Sequence, residues 1–467
     1  MYGLYYQFKR DPNRALSVLA LFILTGIAIV VYLNQSDPQP RERDYAFVGS
    51  FFAFSIWIGI GCYGLITNIA WAVKIKLSNI PAKPIFAVIL FMSMPLNMMI
   101  NDYYEHDRSQ RYEAWDYAYN LLNSCETNGI LFTNGDNDTF PLWYLQYVEK
   151  IRTDVKVVNL SLLNFPSYIK QLDEHSPSLK MFPTQPGNGI WDVGEKFIDE
   201  NNNQIYNYGE DFVDEEISDE FIGAIESNDM TKLTELAQIN WFDESYPMMK
   251  IETPNGTKFN WEFKGGTYGL GLTNITIMNI IEKCFDNRPI YFSVTTGNNQ
   301  LGLDDYLLQE GLVYKLTNQI NMSPRPINMN INRTLDLITN TYQFRNLNKE
   351  GIFYGPHIER IAAVYRNIFH ETANHMVLDI NLENNIEASF SIRQLLNTYI
   401  PNTIVSENED MLTYRTWEYY DGIIRYCMFM NEYENGVPSK TILFIKDNMP
   451  DLYEYFKTQY PELIRID

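Results

Sequence analysis

Two short stretches of this 467-residue chain carry residue types at spacings that could do chemistry. The first is Asp136-Asn137-Asp138, directly after the apolar run Ile130-Leu131-Phe132-Thr133 and the turn pair Asn134-Gly135. Carboxylates and an amide at the carboxyl end of a strand can form the polar rim of a sugar or phosphate pocket, or hold a metal. The same residues can instead cap the helix that follows, through its free N–H groups. Both readings stay open from the residues alone. The second stretch has the spacing of an EF-hand-type calcium loop. Asp199, Asn201 and Asn203 take positions one, three and five, Ile205 offers a backbone carbonyl at seven, Asn207 takes nine, and Glu210 takes twelve. Calcium takes six to eight oxygens from such a set. Gln204 stands where the sharp turn ordinarily has glycine, and only Asp199 and Glu210 are formally charged, so the expected affinity is modest. The alternative is a solvated acidic loop. His370 and His375 lie five apart, off the i, i+4 face of helical metal ligands, and read as packing or surface histidines. Neither a Gly-rich phosphate loop nor a Gly-x-Ser-x-Gly elbow occurs.

The elements around the first stretch read as helix, strand, helix, strand. Tyr112 to Asn123 has helical apolar spacing, Ile130–Thr133 is a short buried strand, Phe140 to Lys150 is helical, and Val155 to Leu163 is a second buried strand. That order predicts a βαβ unit with a parallel pair. Pro289 to Thr295 and Gly311 to Leu316 are strand candidates for the same sheet. The calcium spacing lies in an acidic insertion, residues 187–226, where a short repeat of period 15 relates Gly189–Asp199 to Gln204–Asp214. Between Asp192 and Glu226 stand twelve Asp/Glu and one Lys, a net of −11. Farther on, Ile358 to Val377, Ser389 to Tyr399 and Met411 to Asn431 are amphipathic, with Pro401, Pro438 and Pro450 as punctuation. These suggest tetratricopeptide-like helical hairpins, without a clean 34-residue period.

The amino-terminal hundred residues are of another kind. Uncharged apolar runs at about 15–33, 47–73 and 84–100 approach the ~20 residues that a membrane-spanning helix needs. The first run is long, lacks a small-x-small exit and precedes two more, so it reads as a span and not a cleaved signal. Residues 1–100 hold eight Lys/Arg against four Asp/Glu, a net of +4 in a chain whose total is −22. Lys9, Arg10 and Arg14 flank the first run, and Lys74, Lys76 and Lys83 lie between the second and third. By the positive-inside rule the amino terminus is cytoplasmic, and residues 101–467 are extracytoplasmic, periplasmic in a bacterium with the spans in its inner membrane. The pI of about 4.7 argues against nucleic acid as a partner. Cys62, Cys125, Cys284 and Cys427 form neither a disulfide framework nor a zinc spacing. The expected organisation is therefore an anchor of three spans over 1–100, an external α/β domain over 101–345 with a βαβ parallel sheet, and a helical-hairpin region over 346–467.

Five stretches carry a resemblance. They are Gln39–Gly49 (QPRERDYAFVG) with the following Phe51–Gly61 span, Gly129–Tyr144 (GILFTNGDNDTFPLWY), Arg152–Leu162 (RTDVKVVNLSL), Asn287–Phe292 (NRPIYF) and Leu303–Leu312 (LDDYLLQEGL). In this order they resemble the domain-of-unknown-function 2723 family, also grouped as glycosyltransferase family 117. Its members are multi-span GT-C-type proteins related to protein O-mannosyltransferases and frequent in Bacteroidetes. The resemblance implies sugar transfer from a polyprenyl-phosphate donor to an extracytoplasmic glycan or protein acceptor. Family members are roughly twice this long, and their further amino-terminal spans carry the catalytic acidic loop, which nothing here replaces. The chain thus reads as the C-terminal, non-catalytic part of such an enzyme, completed by those other spans. The alternative is a non-enzymatic, membrane-anchored periplasmic interaction module.

Overall fold

A computed structural model gives the fold. It describes residues 1–33, 44–76, 82–179, 248–262, 272–297, 300–320, 328–378, 385–401, 409–433 and 439–464, with a few short pieces between 184 and 232 and at 437. The calcium-type loop, Asp199 to Glu210, lies outside the described residues. The chain divides into two units, Met1–Asp107 and Arg108–Asp467.

The first unit is helical: α1 Tyr2–Arg10, α2 Pro12–Leu24, α3 Ile27–Leu33, α4 Val48–Lys76, α5 Ala82–Ser93 and α6 Pro95–His106. Three stretches are long and apolar enough to cross a membrane: Pro12–Leu33, Tyr45–Ile69 and Lys83–His106. The third runs to His106, past the residue-100 end expected from its apolar run, because Pro95 sits at the first turn of α6 and restarts the helix there. Charge-free composition therefore underestimated its length. Residues 1–10, read from sequence as a basic flank, form α1 and pack on α4. Small residues allow this approach: a Cβ on Gly3 would sit 1.8 Å from the Trp57 carbonyl oxygen. Trp57 Nε1 donates to Gln7 Oε1 at 2.8 Å, and Asn68 Nδ2 to the Tyr2 hydroxyl at 2.6 Å.

The second unit opens with α7 Glu113–Ser124, β1 Ile130–Thr133, α8 Asp136–Tyr147, β2 Lys156–Asn159 and α9 Pro166–Glu174. Short strands β3 Thr184–Pro186 and β4 Glu215–Ile217 pair antiparallel and bracket most of the acidic insertion. A hairpin follows, β5 Met248–Glu252 with β6 Lys258–Glu262, then α10 Leu272–Cys284. The rest is β7 Ile290–Ser293, β8 Leu307–Glu310, β9 Val313–Leu316, β10 Asn328–Met329, α11 Ile331–Asp336, and the helices α12 Pro356–Leu378, α13 Asn385–Tyr399, α14 Glu409–Tyr433, α15 Ser439–Asn448 and α16 Pro450–Gln459.

Six strands form one sheet in the order β10-β8-β9-β7-β1-β2. β1 lies parallel to both β2 and β7, whereas β9 is antiparallel to β7 and β8. All four residues of β1, of β2 and of β7 are buried, the mark of parallel strands covered on both faces. On one face Leu131, Val157 and Tyr291 pack with Leu121 of α7, Leu142 and Leu145 of α8, and the C-terminal helices. On the other, Phe132, Val158 and Phe292 pack with α9, α10 and the β5–β6 hairpin. Phe132 stacks on Phe292 across the parallel pair at 4.9 Å. The fold is thus an apolar helical anchor, a mixed α/β unit with a parallel centre, and a helical C-terminal region that begins with a hairpin of α12 and α13.

Buried polar groups tie the elements together. Asp116 of α7 takes a backbone N–H and two guanidinium contacts from Arg345, whose guanidinium lies 4.4 Å from the ring centres of Tyr112 and Trp115. Burial raises the Asp116 carboxyl above its ordinary range although Arg345 opposes this. His370 is buried in α12, and burial with Arg393, Arg415 and Arg366 lowers it to about 3, which holds it neutral. That suits a packing role for this histidine.

Candidate functional site

The loop after β1 turns into α8 on one face of the sheet. The loops after β2 and β7 run to the other face, where Leu163, Leu301 and Leu303 are buried. In a parallel sheet the carboxyl edge of the strands is the usual place for a ligand. Asp136, Asn137 and Asp138 lie there. The turn that aims them depends on Gly135, whose backbone is at φ +76, ψ −179. That region is essentially reserved for glycine.

Gly135 itself is the N-cap, and no side chain caps the helix. The capping reading of Asn137 and Asp138 is therefore corrected. The helix begins at Asp136 and not at Phe140, because Gly135 makes the turn within one residue, and all three residues fall in its first turn. Their negative charge still suits the helix amino terminus. Asp136 and Asn137 are exposed, and Asp138 is half-buried. The Thr295 hydroxyl, beyond β7 and 157 residues away, donates to Asp138 Oδ2. Burial raises the Asp138 carboxyl, while the Thr295 hydroxyl and the Asn134 backbone hold it down.

A polar network spans all three strand ends. Ser293 and Thr295 share a hydroxyl hydrogen bond of 2.7 Å. Thr139 Oγ1 meets Thr133 Oγ1 at 2.7 Å and donates to the Gly135 carbonyl at 2.8 Å. Asn159 Nδ2, at the end of β2, donates to Thr139 Oγ1 at 3.0 Å, and Asn159 Oδ1 accepts from the Ser161 N–H at 2.9 Å. Thr133, Thr139, Asn159 and Ser293 are fully buried. Asp136 and Asn137, by contrast, are exposed beside them. Sequence reasoning missed Thr295, Ser293 and Asn159. The polar run Ser293-Val-Thr295-Thr296-Gly297 after an apolar strand was the available signal.

On α8, Phe140 and Tyr144 follow Asp136 at four-residue intervals, so the three share a face. Phe140 is 51% and Tyr144 49% exposed, and Phe140 stacks on Trp143 at 5.5 Å. An acidic and amide rim running into a ribbon of exposed aromatic rings can hydrogen-bond hydroxyl groups and stack on the apolar face of a sugar ring. Among the described residues no group of three or more His, Cys, Asp or Glu is placed to hold a metal. The four cysteines are free thiols.

Three helices of membrane-crossing length followed by a mixed α/β unit with a parallel centre mark a membrane protein with a folded domain. Within that class, a family model described as TMEM260-associated domain 2 matches residues 114–262 and 255–334, the stretch from α7 to α11. The chain is similar to that membrane-protein-associated domain over this part. No curated protein and no solved structure matches it.

Proposed function

We propose that this chain is the C-terminal, non-catalytic part of a GT-C-like membrane glycosyltransferase, and that its second unit receives the glycan or glycosylated acceptor. The observation that carries this reading is the α8 face at the strand ends, where Asp136, Asn137 and Asp138 adjoin exposed Phe140 and Tyr144. The five motifs that resemble glycosyltransferase family 117 support it. Three of them, Gly129–Tyr144, Arg152–Leu162 and Asn287–Phe292, contain β1 with most of α8, β2 and most of β7, and the carboxyl ends of these strands lie beside Asp136 to Asp138. A polyprenyl-phosphate sugar would be the donor of the whole enzyme, with catalysis in further spans. The Lys/Arg asymmetry supports an extracytoplasmic second unit, anchored in the inner membrane with its amino terminus inside. In the acidic insertion, calcium on Asp199, Asn201, Asn203, Ile205, Asn207 and Glu210 would stiffen a loop and take no part in the reaction.

The full chain in lipid nanodiscs, presented to an array of neutral oligosaccharides, should bind glycan without transferring sugar from a polyprenyl-phosphate donor. Transfer by the chain alone would overturn the non-catalytic assignment. The helical hairpin region favours a second reading, a membrane-anchored periplasmic interaction module. A stable protein partner recovered with no glycan signal would select it.

A further inference from the structure

Along the free edge of β2, a cavity of about 440 Å³ opens between α8, β2 and α9. Its volume falls within the ~300–1,000 Å³ of small-molecule sites. Trp143 and Tyr147 of α8 form one wall, and Tyr168 and Leu172 of α9 the other. Lys156, the first residue of β2, lies among the lining residues and is 7% exposed. Its Nζ donates to the His175 carbonyl oxygen at 2.8 Å, and its other two N–H groups have no acceptor among the described residues. β2 is the sheet's edge strand, and strand alternation turns the Val157 N–H and C=O away from β1 towards this side.

A buried ammonium with donors to spare is costly unless something pairs with it. Among the described residues, Arg288 and Asp173 act on Lys156. Arg288 adds positive potential, and Asp173 partly offsets it. The rim is open, since Tyr147 is exposed, while Tyr168 and Leu172 are buried.

We infer that this cavity binds a small anion with a flat apolar body, an aromatic carboxylate or its phosphate counterpart, through an ion pair to Lys156 and ring contacts with Trp143, Tyr147 and Tyr168. The anionic group would take the two remaining Lys156 donors in a charge-assisted contact. The body would lie between the aromatic walls. The cavity adjoins the α8 strand-end face, since Trp143 stacks on Phe140, but the inference rests on Lys156 and not on the glycan reading.

The test is fluorine NMR titration of the full chain in nanodiscs with 4-fluorobenzoate, against neutral 4-fluorobenzamide and inorganic phosphate. The expected result is saturable benzoate binding, at least about tenfold tighter than the amide, the scale of one charge-assisted contact. Lys156→Met should abolish that preference. Tyr147→Ala, a change at the exposed rim that leaves the fold intact, should weaken benzoate binding several-fold. Equal affinity for benzoate and benzamide, or benzoate binding unchanged in both variants, would overturn the site. Phosphate binding as well as benzoate would overturn the apolar part of the assignment.

Discussion

Replacing Lys156 by Met should stabilise the second unit at neutral pH. Burial, reinforced by Arg288 and opposed by Asp173, pushes the ammonium from 10.5 down to about 8. The folded state therefore holds this proton less tightly than the unfolded chain does. Below pH 8 both states carry it, and the folded state bears the whole cost of the buried charge. Between about 8 and 10.5 the folded state sheds the proton first, so stability rises with pH. Above 10.5 both are neutral and the cost is gone. Two to three pKa units at about 1.4 kcal/mol each put the cost near 3 kcal/mol at pH 7. Met fills similar volume without charge but leaves the His175 carbonyl without its donor, a loss of about 1 kcal/mol. The net gain should be about 2 kcal/mol at pH 7, shrinking to nothing or a slight loss by pH 10.5. Urea unfolding of the full chain in nanodiscs, followed by tryptophan fluorescence at several pH values, measures it. A variant less stable than the native chain at pH 7, or a difference that stays constant to pH 10.5, would refute the reasoning. A bound anion would cancel the penalty, so the gain should also shrink in saturating 4-fluorobenzoate.

Other changes have comparably direct outcomes. Gly135→Ala should destabilise by about 1–3 kcal/mol through backbone strain alone, because a Cβ there meets nothing within 4 Å while φ stays at +76; denaturant midpoints measure it. Arg345→Ala should cost about 3 kcal/mol, since it leaves Asp116 buried without its guanidinium partner, and the loss should fade in acid as Asp116 protonates. Asp138→Asn should flatten the part of the stability profile that falls as pH rises from about 4, because burial raises this carboxyl in the folded state; pH-dependent melting detects that. Isothermal titration of the full chain with calcium should show one site that disappears in Glu210→Ala, and no heat in either protein would remove calcium from the account.

Much of the architecture was legible because it rests on local signals. β1 and β7 each have three apolar residues closed by a hydroxyl residue, Thr133 or Ser293, and β9 follows the Gly311 turn, so all three were visible as strands. β2 was visible but too long in the reading. It stops at Asn159, whose side chain takes the Ser161 N–H and turns the chain. β8 escaped because Leu307-Leu308-Gln309-Glu310 lacks alternation or an apolar run. It is a strand through its pairing with β9, a tertiary cause. α1 escaped for a similar reason, since its packing depends on the small residues Gly3 and Gly61 meeting. In the site, Asp136 to Asp138 announced themselves by type and position. Thr295 and Asn159 did not, because only the sheet order β7-β1-β2 brings them to the same end. The Lys156 cavity had no sequence signal: a lysine opening a strand ordinarily reads as solvated, and its burial follows from α9 folding over it.

The central question for this protein is whether the α8 face at the strand ends holds a sugar. Saturation-transfer difference NMR of the full chain in nanodiscs with a mannose oligosaccharide reads this contact. The prediction is transfer to the sugar ring protons that is lost in Phe140→Ala/Tyr144→Ala, whose altered side chains are already exposed and whose replacement leaves the core untouched. Transfer of equal strength in the native chain and the double variant, or none in either, would contradict it.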